Sequence, residues 1–153
     1  MTAPVLVIGI GNPSRGDDAL GPLLIERLAA QDLCDVELLT DFQLQVEHAL
    51  DLTGRDEVIF ADASVESAEP FEWRALQAEH DLSHSSHALS PQAVLDACTR
   101  VGVMVPPLAN MLAIRGYGFE LGDAPCAAAD RNLCAAVDFL VGYLRMKADR
   151  RQD

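Results

Sequence analysis

Side chains able to bind a cation or move a proton stand at three places along the chain where their position suggests chemistry. Asp17 and Asp18 follow a first aliphatic run, Asp62 follows another, and His80, His84 and His87 crowd a polar stretch ahead of Ser90-Pro91. An Asp at a helix start ordinarily caps it, accepting backbone N–H bonds and complementing the dipole, and Asp17 reads that way. One cap suffices, so Asp18 needs another role. Asp62 needs a partner if it is buried, and is a solvated loop carboxylate if it is not. Histidines in polar loops are ordinarily solvated, and His87, nearest the Ser90 helix, is the best placed to lie over a strand edge. One imidazole and two carboxylates form an incomplete shell with open positions, as a functional metal site requires. Donor softness leaves nickel, zinc, manganese and iron all open.

These residues must be positioned by regular elements. Val5 to Ile10 is a continuous aliphatic run ending at Gly11, the pattern of a strand buried on both faces of a parallel sheet. Leu20, Leu23, Leu24 and Leu28 then recur at helical spacing, with Pro22 suited to a first turn. Val36 to Leu39 predicts a second strand, Val46 to Leu52 a modest helix, and Glu57 to Ala61 a third strand that ends at Asp62. Phe71 to Leu76 predicts an edge strand and Gln77 to Leu89 a loop. Ser90-Pro91 opens a capped helix that stops at Gly102, Met111 to Ile114 is a late strand, and Ala127 to Lys147 is a long final helix, with Asp149 to Asp153 frayed.

Strands alternating with helices predict an α/β fold, three-layer α/β/α with a mostly parallel twisted sheet of about five strands, because parallel neighbours need crossovers. In such sheets ligands sit beyond the carboxyl ends of the strands. Gly9-x-Gly11 fails as a dinucleotide fingerprint at Ser14, where the third glycine would stand, and no phosphate-binding lysine follows.

The 153 residues suit a single domain, and half of them are hydrophobic. With 24 acidic against 11 basic side chains the formal charge is −13, which opposes a nucleic-acid partner. No basic cluster or long apolar run opens the chain, so no membrane segment and a cytoplasmic location are expected. Cys34, Cys98, Cys126 and Cys134 form no C-x-x-C pair and read as reduced core thiols.

In order along the chain, Gly9-Ile10-Gly11-Asn12, Asp17-Asp18-Ala19-Leu20-Gly21, Phe60-Ala61-Asp62-Ala63 and Ser86-His87 before a helix resemble the nickel-iron hydrogenase maturation endopeptidases. The resemblance runs nearly end to end. It implies a twisted sheet between helices and a metal contacted by Asp18, Asp62 and His87, although the family usually carries Glu where Asp18 stands. It extends to Asp41-Phe42-Gln43-Leu44-Gln45, where Asp41 is implied either to serve cleavage or to position substrate. The context of His87 looks like the branch serving soluble hydrogenases.

The implied activity is removal of a C-terminal extension from the hydrogenase large-subunit precursor after nickel insertion, the nickel being supplied by that precursor. The metal is either a Lewis acid or a docking handle. No Ser-His-Asp, Cys-His or H-E-x-x-H arrangement is evident, so the expected chemistry is attack by water with Asp41 or Asp62 as base and Asp18 beside them. A monomer is expected. Two other readings remain: a nickel-protein chaperone that grips without cutting, and a peptidyl-tRNA hydrolase-like enzyme. The latter shares the Gly9 to Pro13 opening but lacks the Thr-Arg-His-Asn run and has the wrong charge for tRNA.

Overall fold

Val5–Ile10 forms β1, and all six of its residues are buried. The cause is its central place in the sheet: it pairs in parallel with β2 (Val36–Asp41) on one side and β3 (Glu57–Ser64) on the other. The computed structural model describes residues 2–80 and 88–153. In it β5 (Leu108–Arg115) runs parallel to β3, and β4 (Phe71–Ala75) closes the far edge antiparallel to β5, giving the order β2-β1-β3-β5-β4.

The two-residue period of the strands divides the core into two apolar layers. Val5, Val7, Ile59, Ala61, Leu112 and Ile114 face α1 (Leu20–Ala29) and α4 (Ala127–Gln152). Leu6, Ile8, Val58, Phe60, Met111 and Ala113 face the other side, with α2 (His48–Asp51) and α3 (Pro91–Arg100). This is the expected three-layer α/β/α arrangement. Ser90 caps α3 by accepting the Ala93 N–H at 3.1 Å, with Pro91 at the first helical position.

Several expected boundaries are corrected: β2 runs on to Asp41 and β5 spans Leu108–Arg115, each longer than the sequence suggested. β3 does not end at Asp62 but continues to Ser64, because β5 is long enough to pair Asp62 with Ala113, Ala63 with Ile114 and Ser64 with Arg115. The helix expected over Val46 to Leu52 shrinks to the four residues of α2. The final helix does not fray at Asp149. It runs to Gln152, held by buried Ala148 and by Arg151 Nε, 3.6 Å from Asp35 Oδ2.

The amino end of β3 is fastened by polar contacts. Glu57 is 1% exposed, and its Oε2 accepts from Asn110 Nδ2 at 2.8 Å and from the Tyr143 hydroxyl at 2.6 Å. Among the described residues its Oε1 accepts no hydrogen bond and is matched only by the Lys147 ammonium at 3.3 Å. Burial, and then the bond to Glu57, push the Tyr143 hydroxyl up from its ordinary value. Among the described residues no helix is long and apolar enough to cross a membrane.

Candidate functional site

The chain winds from β1 to β2 on one side and then to β3 on the other, so a crevice opens where the winding reverses, between the carboxyl ends of β1 and β3. The ladder between β1 and β3 stops at Gly9 and Ala61, while β3 continues along β5. Asp62 is therefore the first residue of β3 past its pairing with β1. It also follows Val58 and Phe60 on the face toward α2 and α3.

Asp18 enters the same crevice from a 3-10 turn, Gly16–Ala19, that leads into α1. Its Oδ2 accepts the Asn12 N–H at 2.8 Å, which fixes the carboxylate against the loop after β1. Gly11 permits this approach: its φ is +142°, and a Cβ there would lie 2.0 Å from the Asp18 carbonyl oxygen. Gly21 acts similarly at the first turn of α1, where a Cβ would lie 2.3 Å from the Ile10 oxygen and 2.8 Å from the Ala61 oxygen. A Cβ on Gly9 would lie 2.4 Å from the Gly21 oxygen, so the two glycines of the dinucleotide-like pattern, Gly9 and Gly11, serve the close packing of α1 and its preceding turn on β1.

Asp18 and Asp62 line one cleft of about 180 Å³ with Ile10, Gly11, Leu44 and Leu89. Burial, reinforced by the negative charge of Asp18, pushes the Asp62 carboxyl up to about 7, against one opposing backbone bond from Ala63. Two carboxylates in mutual repulsion make a place where a cation is favourable. Among the described residues no group of three or more His, Cys, Asp or Glu side chains is close enough to hold a metal. His87, the third expected ligand, lies outside the described residues, as does His84; Ala88, next in the chain, lines the cleft.

Asp41 lies at the end of β2 and lines an adjoining cleft of about 320 Å³ with Gly11, Pro13, Pro22, Thr40 and Phe42. Gly11 and Phe42 line both clefts, and Phe42 is 66% exposed, large and apolar at their junction. Gly11 N–H donates to the Asp41 carbonyl and Leu89 N–H to the Leu44 carbonyl, each at 3.0 Å, so the loop after β2 is pinned to both neighbouring segments.

His48 is the polar residue at this site that the sequence alone did not single out. Its Nε2 lies 3.2 Å from Asp41 Oδ2. The available signal was an Asp ending a strand with a His seven positions on, at the start of a short apolar helix. His80, by contrast, pairs with Asp96 at 3.2 Å through a 60% exposed side chain, an ordinary surface contact.

Asp17 does not cap its own helix; the cap positions of the 3-10 turn and of α1 carry no side-chain bond. It is 1% exposed and reaches across to the segment between β5 and α4. Its Oδ2 accepts from Tyr117 N–H at 2.7 Å and Gly118 N–H at 3.1 Å, and its Oδ1 from Cys126 N–H at 2.9 Å. Burial works to raise this carboxyl, but these bonds together outweigh it and the net displacement is downward. The cysteines are all free, yet only Cys98 is buried; Cys34, Cys126 and Cys134 are exposed, which corrects their reading as core thiols.

No protein-family model and no curated protein sequence matches the chain. Solved structures do. The hydrogenase maturating endopeptidase HybD from E. coli is 23% identical with a TM-score of 0.73, the match covering 94% of this chain and 93% of that one. The [NiFe] hydrogenase maturation protease HycI from Thermococcus kodakarensis is 23% identical with a TM-score of 0.70 over the same shares. An endopeptidase from Escherichia coli is 25% identical, again with a TM-score of 0.70 and 94% and 93% coverage. The chain therefore has, over nearly its whole length, the fold of hydrogenase maturation proteases.

Proposed function

We propose that this chain is a hydrogenase maturation endopeptidase that removes the C-terminal extension of a nickel-iron hydrogenase large-subunit precursor after nickel insertion. The observation that carries the reading is the convergence of Asp18 and Asp62 in one cleft at the winding reversal, on a fold shared with proteases of that name. Nickel enters as part of the substrate. Asp18 and Asp62, with His87 as third donor, are the residues to receive it, and cation binding relieves the repulsion between the two carboxylates. A bound cation polarises a nearby carbonyl or registers a loaded precursor.

Asp41, in the adjoining cleft, is the base for an attacking water. The water oxygen joins the scissile carbonyl carbon as its proton passes to the Asp41 carboxylate. The C–N bond then breaks, and that proton leaves on the amine nitrogen. The −13 formal charge and clefts lined by no basic side chain among the described residues disfavour a tRNA substrate.

Incubation with nickel-loaded precursor should shorten it, while nickel-free precursor should stay intact. Asp62→Asn and His87→Ala should abolish shortening while the protein stays folded. Binding of the loaded precursor without shortening would leave the chaperone reading in place of the protease.

A further inference from the structure

The Asp41 carboxylate is held from two sides. Its Oδ1 accepts the Phe42 N–H at 2.7 Å, and its Oδ2 lies 3.2 Å from His48 Nε2. The imidazole is itself fixed at its other nitrogen: Nδ1 lies 2.9 Å from the Gln45 nitrogen, which only donates, and 3.3 Å from the Gln45 carbonyl oxygen, which only accepts. The shorter of the two contacts makes Nδ1 the acceptor, and the carboxylate facing Nε2 accepts only, so the neutral ring that satisfies both carries its proton on Nε2 and donates to Asp41. The two side chains also differ in setting: that of His48 is 12% exposed and that of Asp41 51%. His48 opens α2, whose Ala49 is buried in the apolar layer. The ring is thus seated on the core, and the carboxylate it bonds reaches toward solvent at the wall of the larger cleft.

We infer that His48 is a positioning residue for Asp41, an Nε2–H donor that aims the carboxylate into the cleft where the scissile peptide lies. This rests on the maturation reading above. The ring makes its bond in the plane of the imidazole, and the Gln45 N–H sets that plane, so the carboxylate is left with few rotamers before substrate arrives. A carboxylate retains acceptor sites after taking two hydrogen bonds, so Asp41 still has a lone pair for water. His48 touches no substrate; it acts through Asp41.

Two measurements test the inference. Ring nitrogen-proton correlation spectra of the wild-type chain, recorded without precursor in mildly alkaline buffer, should show the Nε2–H tautomer of His48, with its resonances moved by Asp41→Asn. In cleavage of nickel-loaded precursor, His48→Ala should lower kcat roughly tenfold or more with KM nearly unchanged. His48→Gln, whose amide nitrogen reaches the Nε2 position, should recover most of that loss while thermal unfolding separates any loss of folded protein. An Nδ1–H tautomer, His48→Ala cleaving at the wild-type rate, or His48→Gln no better than His48→Ala would overturn the inference. A wild-type chain that leaves the precursor uncut overturns the maturation reading and this role with it. The tautomer, read without precursor, tells that failure from a ring that never bonds Asp41.

Discussion

Asp17 Oδ1 accepts the N–H of Cys126 at 2.9 Å, tying the loop after β1 to the start of α4 across 109 positions of sequence. With the Tyr117 and Gly118 bonds it gathers three backbone donors on one buried carboxylate. Asp17→Asn replaces one acceptor oxygen with an amide that cannot accept. It should destabilise the chain by about 2–4 kcal/mol in urea unfolding at neutral pH. Because the folded carboxyl is displaced downward, its stabilisation is complete above the ordinary value of 3.8 and fades as pH falls below it. The gap between wild type and Asp17→Asn should therefore narrow in acid, and a gap independent of pH would contradict this account.

Asp62 has the opposite sign. Its proton is held to about 7 in the folded chain against an ordinary 3.8, so the stability linked to that proton is whole below about pH 4 and is lost as pH rises through about 7. The metal-free wild type should lose a few kcal/mol between roughly pH 5 and 8 relative to Asp62→Asn, which has no proton to release. Added nickel should offset that loss in the wild type by neutralising the pair. Parallel stability curves for the two chains would show that Asp62 is not held protonated.

Gly21→Ala places a methyl against backbone rather than against movable side chains, 2.3 Å from the Ile10 oxygen and 2.6 Å from the Ile10 nitrogen. α1 must move off the sheet, at a cost of about 1–3 kcal/mol. The same movement carries the Asp18 turn away from Asp62. Processing of loaded precursor should thus fall further than the fraction of folded protein does, as measured by cleavage and thermal unfolding on one preparation.

At the other end of β3, Lys147→Met should strand Glu57 Oε1, which among the described residues has no hydrogen-bond donor and only the Lys147 ammonium as counter-charge. The expected loss is about 3–5 kcal/mol by denaturant unfolding. Glu57→Gln in the Lys147→Met background should recover part of it by removing the buried charge. A double variant no more stable than Lys147→Met would show that the charge is compensated elsewhere.

The fold was legible because its strands carry their positions in their composition. The aliphatic run of β1, broken only by Gly9, announces burial on both faces, and Ser90-Pro91 announces a helix start. The reach of β3 past Ala61 was not legible, since it is set by the length of β5, a partner more than forty positions away. Asp18 and Asp62 could be suspected from their places after strands, while their meeting depends on the crossover direction and on Gly11 and Gly21. Asp17 looked like a local cap because its true partners are the distant N–H groups of Tyr117, Gly118 and Cys126. His48 escaped notice for a related reason: its significance lies in one bond to Asp41, and nothing in its own neighbourhood marks it as more than a helix-start residue.

The crevice between β1 and β3 has a consequence for how far the sequence can vary. It exists because the chain turns one way after β1 and the other way after β2, and no individual side chain has to be kept to preserve a gap made by connectivity. Most surface and core positions are then free to drift, provided they stay apolar or polar as their layer demands. Two chains that agree at only 23% of positions thus superpose at a TM-score of 0.73. In such a protein the path of the backbone carries the shape, and the letters along it are free to differ.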